Sequence, residues 1–182
     1  MENLHGLTIR EAMDYRIKDI LLNNTNVVPD YNWNTIENEN NIVFPEDYKW
    51  FLENYGVGSI NDFLWILSPI CDNLNLNSFE QYKIMKNSYE IMKNSNLIEI
   101  EYGFYDNGVG LFPWGITDNG DELYLNYLNG STEIVVFASR YADIMSCKMN
   151  ITDFLSGVLT REIVCKIFPD DFVLNDNYFD SI

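Results

Sequence analysis

Three carboxylates fall within five residues at Asp118-Asn119-Gly120-Asp121-Glu122, inside the apolar stretch from Gly110 to Leu125. Carboxylates this close are the raw material for acid–base work or for holding a hard cation. Glycoside hydrolysis needs two carboxyl groups roughly 5–10 Å apart across a cleft, one of them with a raised pKa. Neighbours at a hairpin tip are normally solvated, which is the wrong environment for such a shift. The turn also lacks the ligand spacing of an EF-hand calcium loop. It reads first as a hairpin tip, and second as part of an acidic binding surface. Glu99 and Glu101, on one face of a predicted strand, are the other acidic pair that such a surface would use.

Other catalytic chemistries find little material. His5 is the single histidine, so a Ser-His-Asp or Cys-His arrangement would have to be built around a residue near a chain terminus. A two-histidine metal site cannot be formed. Cys71, Cys147 and Cys165 are odd in number and widely spaced, and they read as buried thiols in a reducing cytoplasm rather than as a disulfide or zinc framework. Gly56-Val57-Gly58 follows a predicted helix rather than a strand, so neither a P-loop nor a dinucleotide fingerprint fits. No catalytic, cofactor or metal residues are assigned. Trp33, Trp50, Trp65 and Trp114 read as core or partial core. Trp50, which falls outside the apolar stripe of its helix, is the exception that could instead be exposed as an anchor for a partner; Tyr102, Phe104 and Tyr105 beside a turn could play the same part.

The charge narrows the partners. In 182 residues, 28 Asp and Glu oppose 11 Lys and Arg, a net charge of −17. Such a field repels phosphate backbones and anionic lipid surfaces, and it favours encounter with a basic protein. No apolar run approaches the roughly 18 residues that cross a bilayer, and the first residues do not have the form of a signal peptide. A cytoplasmic location is expected.

The elements that would position these residues follow from periodicity. Thr8 to Leu22 predicts a helix, opened by a Thr8…Glu11 capping box. Tyr31 to Asn41 is ambiguous. Pro45 opens a second helix, with Tyr48, Phe51, Leu52 and Tyr55 as its stripe and Gly56 as its stop. Phe63 to Leu67 predicts a central strand. Ser78 to Asn94 predicts a helix capped by Ser78…Gln81. Ile98 to Tyr102, Leu111 to Ile116, Glu122 to Tyr127 and Glu133 to Phe137 predict strands of a meander, with Asn-Gly turns between them. Tyr141 to Cys147 and Ile151 to Leu159 predict late helices, and the acidic tail 169–182 is expected to pack loosely or fray. The order implies an α+β fold in one domain spanning 1–182, with helices packed on a mostly antiparallel sheet.

Three of these elements together resemble a known family. Phe44-Pro45-Glu46-Asp47-Tyr48-Lys49-Trp50-Phe51-Leu52 resembles the Leu-Pro-x-x-Tyr-x-x-Phe-Leu helix opening of the SUKH superfamily, which includes the yeast Smi/Knr type. Phe63 to Leu67 is similar to its first core strand. Pro113-Trp114-Gly115, Gly120-Asp121 and Leu123-Tyr124-Leu125 are similar to its Pro-Phe/Trp-Gly…Gly-Asp-x-x-x-Leu signature. Phe44 stands in place of the family's Leu, and Gly56-Val57-Gly58 in place of Asn-Gly-Gly. The resemblance covers about residues 36–159. It implies the α+β fold and, for bacterial members, a non-enzymatic immunity protein that neutralises a secreted polymorphic toxin, often a nuclease or deaminase. Eukaryotic members act in cell-wall regulation, so a regulatory scaffold is the alternative, and a carboxylate-dependent hydrolase a further one. In the immunity reading a basic toxin domain meets Asp118, Asp121, Glu122, Glu99, Glu101 and the Trp50 anchor.

Overall fold

The computed structural model describes residues 16–23, 29–95, 102–138 and 143–182. Its strands are β1 (Leu21–Asn23), β2 (Gly58–Ile60), β3 (Leu64–Ile66), β4 (Gly110–Thr117), β5 (Glu122–Leu128), β6 (Ser131–Ala138), β7 (Asp143–Cys147) and β8 (Asn177–Ser181). They form one sheet in the order β1-β8-β2-β3-β4-β5-β6-β7. Only the β1–β8 pair is parallel. The helices are α1 (Trp33–Asn40), α2 (Glu46–Tyr55), α3 (Ser78–Asn94) and α4 (Ile151–Leu159), and residues 16–20 are also helical. The fold is therefore α+β, with the meander β4 to β7 forming one half of the sheet.

The Pro-Trp-Gly letters have a mechanical explanation. Proline cannot donate to a ladder, and the β4–β5 register shifts between Pro113 and Gly115. Trp114 is the extra residue at this bulge. It is fully buried, edge-on to Phe154 of α4, while its carbonyl accepts from Leu67 N at 2.9 Å. The bulge thus ties the meander to the end of β3 and aims the largest core side chain at the helical layer.

Short polar side chains fix the helices. Asn32 accepts from Thr35 N to start α1, which resolves the ambiguous segment as a helix with Ile36 on its buried side. Asn77, rather than Ser78, caps α3, accepting from Phe79 N and Glu80 N, so the cap lies one residue upstream of the expected box. Gly56 stops α2 at φ 76°, as its sequence position predicts. Asp47 serves two helices. It lies in the first turn of α2, and its Oδ2 also accepts from Ile151 N (2.6 Å) and Thr152 N (3.3 Å) at the start of α4. Burial raises its carboxyl above the usual range, and the amide bonds offset only part of that rise. Lys49, itself buried, links Glu37 of α1 (2.7 Å) and Glu46 of α2 (3.0 Å).

Three sequence expectations are corrected. Leu21 and Leu22 belong to a strand rather than the end of a helix: Leu21 is buried where β1 runs parallel to β8. The rest of the predicted helix, residues 8–15 with its capping box, lies outside the described residues. Residues 143–147 form edge strand β7 instead of a helix, because pairing with β6 overrides a short apolar pattern that fits either state. The tail does not fray. β8 inserts between β1 and β2, and Phe179 is fully buried against Phe51 and Tyr55. Burying a side chain of that size contributes about 1.5–3 kcal/mol. Gly58 permits the insertion, since a Cβ there would sit 2.0 Å from the Asp180 carbonyl oxygen. The predicted strand at 98–102 lies almost wholly outside the described residues.

Candidate functional site

Each carboxylate of the 118–122 turn is committed to an internal bond. Thr117 Oγ1 donates to Asp121 Oδ2 at 2.7 Å and accepts from Asp121 N at 3.0 Å. Gly120, at φ 82°, closes the turn by donating its N–H to the Thr117 carbonyl. Asp121 is consequently buried, contrary to the expectation of a solvated tip. Asp118 is exposed, but its Oδ1 accepts from Trp65 Nε1 at 2.7 Å, which fastens the turn to β3. Glu122 Oε2 accepts from both Tyr124 (2.6 Å) and Tyr89 (2.8 Å), joining β5 to α3. Burial raises the Glu122 carboxyl above its ordinary value, the two tyrosine hydroxyls pull it back, and the Asp121 charge adds to the rise.

The remaining predicted residues do not gather at this turn. Glu99, Glu101 and His5 lie outside the described residues. Trp50 is not an exposed anchor: it is 6% exposed, edge-on to Tyr55 and 5.5 Å from the Lys18 ammonium. The helix is covered on more than its predicted stripe, so a position off that stripe is still buried. Phe104 packs edge-on to Tyr82, Tyr89 and Tyr124. Tyr105 is half-buried and lines a groove instead.

Among the described residues that groove is a prominent concavity. It has two adjoining lobes, of about 550 Å³ and about 630 Å³, which share Asn41, Ile42, Tyr105 and Asn107. Tyr105 Oη donates to the Asn41 carbonyl at 3.0 Å across the divide. The first lobe is walled by the start of α3, with Phe79, Tyr82 and Phe112 as its aromatic lining. The second is walled by Glu37, Asn38, Val43 and Tyr127. Asn41 ends α1 in the left-handed conformation (φ 49°), and Asn107 adopts the same conformation (φ 48°) in the turn before β4. Asparagine tolerates this region better than other residues with a Cβ. Along the sequence Asp106-Asn107-Gly108 marks a turn and Asn41 only ends the ambiguous segment from Tyr31, and it is the fold that brings them together.

None of the carboxylates of the 118–122 turn lines either lobe. Among the described residues no group of three or more His, Cys, Asp or Glu could hold a metal ion. No helix among them is long and apolar enough to cross a membrane. A family model described as SMI1-KNR4 cell-wall, SUKH_6, matches residues 30–155. The chain belongs to the SUKH superfamily. The match spans α1 to α4 and includes both the Pro-Trp-Gly bulge and the Gly120-Asp121 turn, so these SUKH signature letters sit where they set sheet register and close a hairpin. No curated protein and no solved structure matches the chain.

Proposed function

We propose that this SUKH protein is a non-enzymatic immunity protein of the cytoplasm that binds a basic toxin domain, such as a nuclease or deaminase, and blocks it stoichiometrically. The observation that carries the reading is a net charge of −17 on a SUKH chain. Such a field attracts the cationic surface with which a nucleic-acid-processing enzyme holds its substrate, and it raises the encounter rate at low salt. The hairpin carboxylates speak against a catalytic role. Burial raises the Glu122 carboxyl, yet it is held by two tyrosines and lines neither lobe of the groove.

The test is co-expression with a basic toxin domain encoded beside the gene. The expected result is growth rescue and a 1:1 complex that weakens as salt rises. Continued toxicity, with no complex, would overturn the reading. The cell-wall description of the matching family favours a second reading, a regulatory scaffold. Pull-down from the native cell separates the two: the scaffold retains cell-wall synthesis proteins and the immunity protein retains a small basic domain.

A further inference from the structure

We propose that the two-lobed groove receives an extended, lysine- or arginine-bearing segment of the partner, an assignment that rests on reading the chain as an acidic protein binder. Asp106 meets the cation, and the Asn41 and Asn107 carboxamides meet the segment's backbone. The two lobes adjoin, sharing Asn41, Ile42, Tyr105 and Asn107, so an extended chain can reach both. A carboxamide offers one acceptor and one donor group, which is what a peptide unit needs in return whatever its side chain. The Asn38 and Asn41 side chains make no hydrogen bond within the described residues, and Asn41 is exposed where the lobes meet. Asn107 uses its Nδ2 on Asp106 Oδ1 (3.0 Å) and keeps its own carbonyl oxygen for a donor.

Charge selects the kind of segment. Among the groove's carboxylates, Glu37 is already paired with Lys49 and Glu80 with Lys83. Asp106 is exposed on the lip and has no cationic partner among the described residues. A lysine or arginine arriving there displaces no internal pair. Val43, 69% exposed on the wall of the second lobe, offers an apolar surface to the part of the segment that lies in that lobe. In the 118–122 turn Asp121 is buried and bonded to Thr117 and Glu122 is held by two tyrosines, while Asp118, exposed and like Asp106 without a cationic partner among the described residues, lines neither lobe.

The test is an NMR titration of the full chain at low salt with the capped peptide Gly-Ser-Lys-Gly-Lys-Ser-Gly. The groove assignment predicts shifts centred on residues 41–43 and 105–108. Asp106→Asn should weaken binding about threefold, the size of one exposed ion pair. Asp118→Asn removes the same unit charge and should leave binding unchanged. The double variant Asn41→Gly, Asn107→Gly keeps the left-handed backbone, so it should weaken binding with no change in melting temperature. Equal weakening by D106N and D118N, shifts centred on 118–122, or no binding to the wild type would each overturn the groove assignment. A toxin domain that still binds the wild type after such a result leaves the acidic-binder reading standing. A toxin domain that binds neither wild type nor variants overturns that reading instead.

Discussion

The 117–122 turn and the Asn41–Asn107 groove are built from the same kinds of residue, Asn, Asp, Glu and Gly around tight turns, and they use them in opposite ways. In the turn each carboxylate closes an internal bond: Asp121 to Thr117, Asp118 to Trp65, Glu122 to Tyr89 and Tyr124. In the groove Asp106 and Asn41 face outward, with the Asp106 charge unpaired by any described cation and the Asn41 carboxamide unbonded. A cluster of acidic letters thus says little until the donors around it are known. Polar groups already satisfied stabilise a fold, whereas exposed and unsatisfied ones remain available to a partner.

This contrast can be broken in several ways. The largest effect is expected at the signature bulge: Trp114→Ala should cost about 3–5 kcal/mol in urea denaturation, because it empties a fully buried site. Asp121→Asn, which disturbs a buried reciprocal bond, should cost about 1–3 kcal/mol. A loss below about 0.5 kcal/mol, the level of an ordinary surface change, would mean the turn does not depend on that carboxylate.

The pH dependence comes next. Burial raises the folded-state pKa of both Glu122 and Asp47 above the unfolded value, so the folded state binds the extra protons between those two values. Stability should therefore rise as pH falls through the folded pKa, and be lowest where both groups are fully ionised. Relief of the −17 self-repulsion acts in the same direction. Urea midpoints compared at neutral pH and at a pH just above the unfolded-state carboxyl range should show the rise, with a shallower slope in Glu122→Gln. A flat profile, or an unchanged slope in the variant, would remove Glu122 from the account. The smallest effect is at the groove, where Asn41→Gly with Asn107→Gly should change stability by no more than about 0.5 kcal/mol.

Much of the fold was legible because the relevant signals are local. The Tyr48/Phe51/Leu52/Tyr55 stripe, the Gly56 stop and the Asn-Gly turns gave α2 and the meander in place. What was lost depends on distant partners. Residues 143–147 read as helix because only the β6 edge makes them a strand, and the tail read as loose because its place between β1 and β2 is invisible along the chain. The site shows the same limit. Asp118, Asp121 and Glu122 were easy to notice, but Thr117, Trp65, Tyr89 and Tyr124, which occupy them, are identified by contact rather than by spacing. Trp50 belongs to the core and is not the exposed exception that its place off the stripe allows, because the covered surface of α2 is wider than that stripe. Tyr105 was noticed as a possible anchor, whereas Asn41 lies 64 residues away from it and meets it only through a folded-state hydrogen bond.

The central claim is that the turn stabilises the fold and the groove binds. Its most direct test measures one pair of charge-neutralising variants in two assays: Asp121→Asn and Asp106→Asn, each by urea denaturation and by titration with the two-lysine peptide. The account predicts that D121N loses stability and binds as the wild type does, while D106N keeps its stability and binds more weakly. A stable D121N that loses binding, beside a D106N that binds normally, would contradict it.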